Sequence, residues 1–151
     1  LLFDMTNWTI RRAKAADAPS LAACIDAAYS VYAGRAIELP AVSDGIAENI
    51  QHDHVWVAVH DRQILGGLVL VLREDHAVIA NVAVEPSATG YGLGRALMDC
   101  AKLEAQRRGL GKLKLTTHVD IQENVRLYEH LGWRETGRAG KKVFMEKTLT
   151  S

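Results

Sequence analysis

The chain of 151 residues predicts an α+β fold with an α/β-like core: a mixed, mostly antiparallel twisted sheet of about six to seven strands with about four helices. Three observations point there. Apolar-alternating runs between His54 and Val84, separated by short polar turns, read as an antiparallel meander. The last of these runs passes through a glycine loop into a helical pattern. A further strand follows that helix, so strand–helix–strand adds one parallel crossover, right-handed by the usual rule.

Taken in order, Trp8 to Arg12 alternates apolar and polar and reads as the first strand. Asp17 is placed to cap a helix with Ala18-Pro19 in its first turn, and Leu21, Cys24, Ile25, Ala28 and Tyr29 recur at helical spacing up to a stop at Gly34. Residues 35–53 are the least patterned, with Ser43 or Asp44 as cap of a short helix to about Asn49; such a segment suits a substrate-side wall. His54 to His60 and Ile64 to Leu72 form a hairpin across Asp61-Arg62-Gln63, with a bulge expected at Gly66-Gly67. Arg73 to His76 turn into the run ending at Val84. Leu93, Ala96, Leu97, Cys100, Ala101 and Ala105 share one helix face, stopped by Gly109 and Gly111. Lys112 to Thr117 is a strand with Leu113 and Leu115 inward. Ile121 to Leu131 is a helix bearing Val125, Leu127 and Tyr128, ended by Gly132. Trp133 to Thr136 and Val143 to Lys147 close the chain around a Gly140-Lys141 turn.

Length makes one domain, 1–151, the default, with Met5 as candidate start and residues 1–4 as upstream remainder. No apolar run approaches the roughly 20 residues that span a bilayer. Two cysteines, Cys24 and Cys100, lie in helical patterns without metal-ligand spacing and read as reduced packing residues of a cytoplasmic protein. His52, His54 and His60 lack a fourth partner at ligand spacing, so no metal is expected. With 18 basic and 18 acidic residues, bulk affinity for nucleic acid is not suggested. The charge is uneven, however. Residues 35–75 hold three basic and seven acidic side chains, whereas twelve basic and seven acidic follow Pro86. An anionic ligand suits the second half and a cationic one the first.

The chemistry concentrates in Asn81 to Met98. Pro86 ends the strand because it has no N–H for the ladder, and Gly90, Gly92 and Gly94 then open a helix. Strand, glycine loop and helix N-terminus together make an anion site from backbone amides and the helix dipole. The loop lacks the Gly-Lys-[Ser/Thr] of a P-loop and the spacing of a dinucleotide fingerprint, which argues against a nucleotide hydrolase.

Two motifs carry a resemblance. Val-Ala-Val-x-Pro-x-x-x-Gly-x-Gly-x-Gly-Arg-Ala-Leu-Met, Val82 to Met98, and Glu-Asn-x-x-Leu-Tyr-Glu-x-Leu-Gly-Trp, Glu123 to Trp133, resemble the two signatures of the GCN5-related N-acetyltransferase (GNAT) superfamily. The order of elements from Trp8 to Lys147 is similar too. The resemblance implies an acyltransferase that binds acetyl-CoA and passes acetyl to a primary amine of a small molecule, protein or peptide, with a homodimer a family option. It implies that Thr89, Gly90, Tyr91, Gly92, Leu93, Gly94 and Arg95 hold the pyrophosphate. Val82, Ala83 and Val84 would pair with the pantetheine arm where the parallel strands splay. Asn124 would assist, and Tyr128 would contact the cofactor and protonate the leaving thiolate. Tyrosine fits, since phenol and thiol have comparable acidity, roughly 10 and 8.5.

Four positions depart from the pattern: Thr89 replaces the usual Gln or Arg, Ile121 an Asn, and Val78 and Thr116 occupy the positions of the usual general-base carboxylates. The base is therefore open. His118, which follows the fifth strand, is a candidate; Glu85 reads as a loop cap, and a water chain needs no residue at all. The missing carboxylates leave one alternative, a catalytically weak acyl-CoA-binding sensor or interaction module of the same fold.

Overall fold

A computed structural model describes residues 7–32, 35 and 43–149. The expected start at Met5, the stop at Gly34, and the 36–42 part of the expected wall, Glu38 included, lie outside the described residues. Seven strands, β1 (Thr9–Arg12), β2 (His54–His60), β3 (Gln63–Leu72), β4 (Ala77–Val84), β5 (Lys112–His118), β6 (Arg134–Ala139) and β7 (Lys142–Thr148), form one sheet in the order β1-β2-β3-β4-β5-β7-β6. Four helices accompany them: α1 (Ala18–Ser30), α2 (Ile46–His52), α3 (Leu93–Arg107) and α4 (Gln122–His130). The mixed sheet expected from the sequence is what forms. The chain divides into two compact units, one running to Leu70 and taking in Asn81–Ala101, the other comprising Val71–Ala80 and the chain from Lys102.

In the first unit, β2 is buried on both faces, so Val55, Trp56, Val57 and Ala58 are all core. The two glycines of β3 explain how. A β-carbon on Gly67 would meet Leu21 of α1, and one on Gly66 would meet Leu97 of α3, so the two helices lie on opposite faces of the strand. The expected bulge is not at these glycines. Ala58 pairs with Gly66 and Val59 with Ile64, which makes Leu65 the extra residue; the glycines serve close approach. The β2–β3 turn is two residues, Asp61 and Arg62, both with positive φ (51° and 67°), as a type I′ hairpin requires.

Asp17 stands at the N-cap of α1 as expected, but its side chain makes no capping hydrogen bond. Its carboxylate accepts from the Lys14 amide (2.7 Å) and from both Arg11 guanidinium nitrogens (2.7 and 3.0 Å), tying β1 to the turn before the helix. Neither Ser43 nor Asp44 caps α2; Gly45 does, in a left-handed conformation (φ 81°).

The second unit packs Leu113 and Leu115 of β5 and Val143 and Met145 of β7 inward with Ile121, Val125 and Trp133. All seven residues of β5 are registered with β7, from Lys112↔Thr148 to His118↔Lys142. The parallel register of β4 with β5 comprises Ala77↔Leu113 and Val78↔Lys114. In β6, Glu135 faces Met145 and Gly137 faces Phe144, leaving Thr136 as the extra residue of a bulge; its hydroxyl donates to the Phe144 carbonyl (3.3 Å). Of the apolar residues on α4, Val125 is buried, whereas Leu127 is 51% exposed.

Candidate functional site

The glycine loop is built in the first unit. The Glu85 amide donates to the Leu65 carbonyl (2.8 Å), fixing the end of β4 to the bulge of β3. The chain then turns through Pro86–Ala88. The Glu85 carboxylate accepts from the Ser87 amide (2.8 Å) and the Ser87 hydroxyl, so this residue caps the loop as expected. Ala88 is buried and anchors the turn, while Thr89, Gly90 and Tyr91 are exposed.

The three glycines divide their work. Gly90 and Gly92 both have positive φ (92° and 86°), and where a β-carbon would stand nothing lies within 4 Å. Gly94 is helical; a β-carbon there would stand 3.6 Å from the Val84 side chain, an ordinary contact, so packing does not demand glycine at this position. The Ala96 amide donates to the Gly92 carbonyl (3.0 Å), so the amides ahead of it have no helical acceptor and remain available to an anion. Arg95 is exposed and forms no ion pair among the described residues. An open, left-handed cradle ahead of a 15-residue helix fits a pyrophosphate. Of the strand end expected to pair with the pantetheine arm, Ala83 is buried and Val82 and Val84 are half-buried.

The remaining candidates belong to the second unit. Asn124 and Tyr128 are one turn apart on α4 and both half-buried. The Tyr128 ring meets Trp133 edge-on at 5.9 Å, and the Trp133 amide donates to the Tyr128 carbonyl (2.9 Å). Ring and helix end are thus fixed together by the chain reversal at Gly132 (φ 94°). His118, the last residue of β5, is 11% exposed. Its Nδ1 accepts from the Asp120 amide (3.0 Å), which places the neutral ring's proton on Nε2, a buried atom without a hydrogen-bond partner among the described residues.

Sequence reasoning missed a cavity of about 370 Å³ on the sheet face of this unit, lined by Val78, Lys114, Thr116, Thr136, Phe144 and Glu146 among others. Its signal lay in parity. Leu113 and Leu115 alternate with Lys114 and Thr116, and Val143 and Met145 with Phe144 and Glu146, so one face is apolar core and the other polar. Val78 and Thr116, noted above as two departures, both line this cavity.

Elsewhere, Cys24 and Cys100 are free thiols. Burial, with the charge of Glu85 second, pushes the Cys24 thiol up to about 11. Among the described residues no group of three or more His, Cys, Asp or Glu side chains is placed to hold a metal, and no helix is long and apolar enough to cross a membrane.

Comparison with known proteins agrees with the motifs. The family model described as an acetyltransferase (GNAT) domain matches residues 51–135. The ribosomal protein bS18-alanine N-acetyltransferase of Escherichia coli K12 is 38% identical over 61 residues, covering 40% of this chain and 41% of that protein. The amino-acid acetyltransferase of Mycobacterium tuberculosis is 35% identical over 94 residues, 60% of this chain and 50% of that one. The chain therefore spans half or less of the length of the curated relatives it matches. Among solved structures, the PaiA N-acetyltransferase of Thermoplasma acidophilum in complex with coenzyme A shares the fold, with a TM-score of 0.85 at 18% identity over 95% of this chain and 99% of that one. With the family model covering more than half its residues, the chain belongs to the GNAT acetyltransferase family.

Proposed function

We propose that the chain is an acetyl-CoA-dependent N-acetyltransferase acting directly on a primary amine. The observation that carries the reading is the pair Gly90 and Gly92, left-handed and open to solvent at the start of α3. Acetyl-CoA, when bound, supplies acetyl activated as a thioester. The amides from Gly90 to Arg95 hold its pyrophosphate, with Thr89, Tyr91 and Leu93 shaping the loop and the Arg95 guanidinium adding a charge-assisted bond. The edge of Val82, Ala83 and Val84 offers its backbone to the amide-bearing arm, as an added strand would use it. Asn124 steadies the arm from α4. Tyr128 delivers the proton that the departing sulfur requires.

His118 would serve as the base only by releasing the Asp120 amide from Nδ1, because its other nitrogen already carries the proton. An amine that reaches the site already deprotonated, with water taking the proton, needs no such release. Residues 1–151 would work as one acetyltransferase domain, in the cytoplasm, without nucleic acid, membrane or metal. Pairing of two copies through the C-terminal strands or the first helices belongs to the same reading.

One observation favours a second reading, an acyl-CoA-binding sensor with little turnover: Val78 and Thr116 supply no carboxylate. Single-turnover transfer of radiolabelled acetyl to amino acids, peptides, polyamines and aminoglycosides separates the two. Transfer to any of them supports the enzyme. Tight acetyl-CoA binding with no transfer supports the sensor.

A further inference from the structure

The 370 Å³ cavity of the second unit is charged in an ordered way. Val78, Lys114, Glu146 and Arg134 are directly registered neighbours on β4, β5, β7 and β6. The Glu146 carboxylate accepts from Arg134 Nη2 at 2.6 Å and lies 3.7 Å from Lys112 Nζ. Two cations therefore already stand on it, and the Arg134 hydrogen bond holds its carboxyl below the usual range. Lys114 is different. It is half-buried, lines the cavity, and forms no ion pair within 4 Å among the described residues. The acid on the neighbouring turn, Asp75, is hydrogen-bonded to His76 at 2.6 Å.

The Lys114 charge acts on the Glu146 and Asp75 carboxylates only at longer range, so this half-buried ammonium has lost hydration that no direct ion pair returns. Beside it, Phe144 and Val78 are half-buried apolar surfaces, and Thr116 and Thr136 are exposed hydroxyl-bearing residues on the rim. The site thus offers one cation, two hydroxyls and an apolar bed. That set suits a small molecule with a carboxylate at one end and an apolar group at the other. It does not suit a polycation, which Lys114, Lys112 and Arg134 would repel.

We propose that this cavity receives the acceptor, and that the acceptor is a small amine that also carries a carboxylate, in the class of α-amino acids, with Lys114 as the counter-ion of that carboxylate. The assignment rests on the N-acetyltransferase reading and adds to it the substrate class. It also turns the acceptor away from the cationic class that the acidic stretch between residues 35 and 75 would favour.

The test compares phenylalanine with phenylalaninamide, each at its own free-amine concentration, because loss of the carboxylate also makes the α-amino group a weaker base. The wild-type chain should show a kcat/KM for the acid about tenfold or more above that for the amide, as a charge-assisted contact in a half-buried site gives. Lys114→Gln should bring the two within about twofold, by raising KM for the acid, while acetyl-CoA affinity and Tm stay as in the wild type. Equal use of acid and amide by the wild type, a preference surviving in Lys114→Gln, or a preference for spermidine or a peptide would overturn the proposal. Should no amine be acetylated, the enzyme reading fails on its own. Calorimetric binding of N-acetylphenylalanine against its amide then decides the cavity: a Lys114-dependent preference for the acid keeps it as a carboxylate site, and none removes it.

Discussion

Gly67 lies so close to Leu21 that a β-carbon on the glycine would stand 2.3 Å from the leucine Cδ1, with the Trp56 carbonyl 3.2 Å away on the other side. Leu21 is fully buried, so any shift of its methyl is made within the packed core. Gly67→Ala should therefore destabilise the protein by about 1–3 kcal/mol, the usual cost of overpacking. Denaturant titration measures it, and in a double-mutant cycle Gly67→Ala should cost less in a Leu21→Ala background than in the wild type. An unchanged midpoint in Gly67→Ala would mean that α1 shifts freely on the sheet.

The glycine loop makes a sharper separation between folding and binding. A β-carbon at Gly92 meets no atom within 4 Å, so the expected cost of Gly92→Val is mainly the strain of a left-handed φ, about 1–3 kcal/mol. Acetyl-CoA binding followed by calorimetry should vanish while the circular dichroism of the domain persists. Normal binding in this variant would refute the pyrophosphate assignment.

For Tyr128, the phenylalanine variant keeps the ring that meets Trp133 at 5.9 Å and removes only the hydroxyl. Turnover should fall by about a hundredfold, with acetyl-CoA affinity within about twofold of the wild type. If affinity collapses while turnover survives, the tyrosine is a packing residue.

Acid should expose the Arg11–Asp17 pair. The Arg11 hydrogen bonds hold the Asp17 carboxyl below its ordinary 3.8. The folded state thus prefers the ionised form, so this stabilisation is present above pH 3.8 and is lost as the pH falls through the folded value. Asp17→Asn should cost about 1 kcal/mol at neutral pH, with the exposed guanidinium side discounted for solvent screening. The gap between wild type and variant should close in acid.

The two thiols should react in order. Cys24 is 4% exposed and shifted up to about 11 by burial; Cys100 is half-buried, with its thiol also raised, by burial first and then by the charge of Asp99. Iodoacetamide at pH 8 should modify Cys100 first and Cys24 only on unfolding. Since the folded state keeps the Cys24 proton more tightly, its contribution to stability is complete below pH 9.0 and disappears as the pH rises through about 11.

The sheet and its helices were legible because their signals are local: alternation in β2, β3 and β5, one apolar face on α3, and glycines at the exits. What was not legible depended on partners far away in the chain. Asp17 looks like a helix cap until Arg11 is seen to claim both of its oxygens. Gly66 and Gly67 look like a bulge until Leu97 and Leu21 are found against them. The glycine loop was readable residue by residue, whereas the cavity needed the register of three strands to bring Val78, Lys114 and Glu146 into one row.

The bulge in β6 bears on how such a cavity changes over generations. Arg134 stays opposite Glu146 and Gly137 opposite Phe144 whether or not a residue stands at position 136, because the ladder skips Thr136. Loss of that single codon would strip a hydroxyl from the cavity rim and leave both pairs in frame. A codon lost elsewhere in β6 would throw one side of the strand off its partners. Insertion and deletion at this point give heredity a way to resize the pocket without asking the sheet to refold.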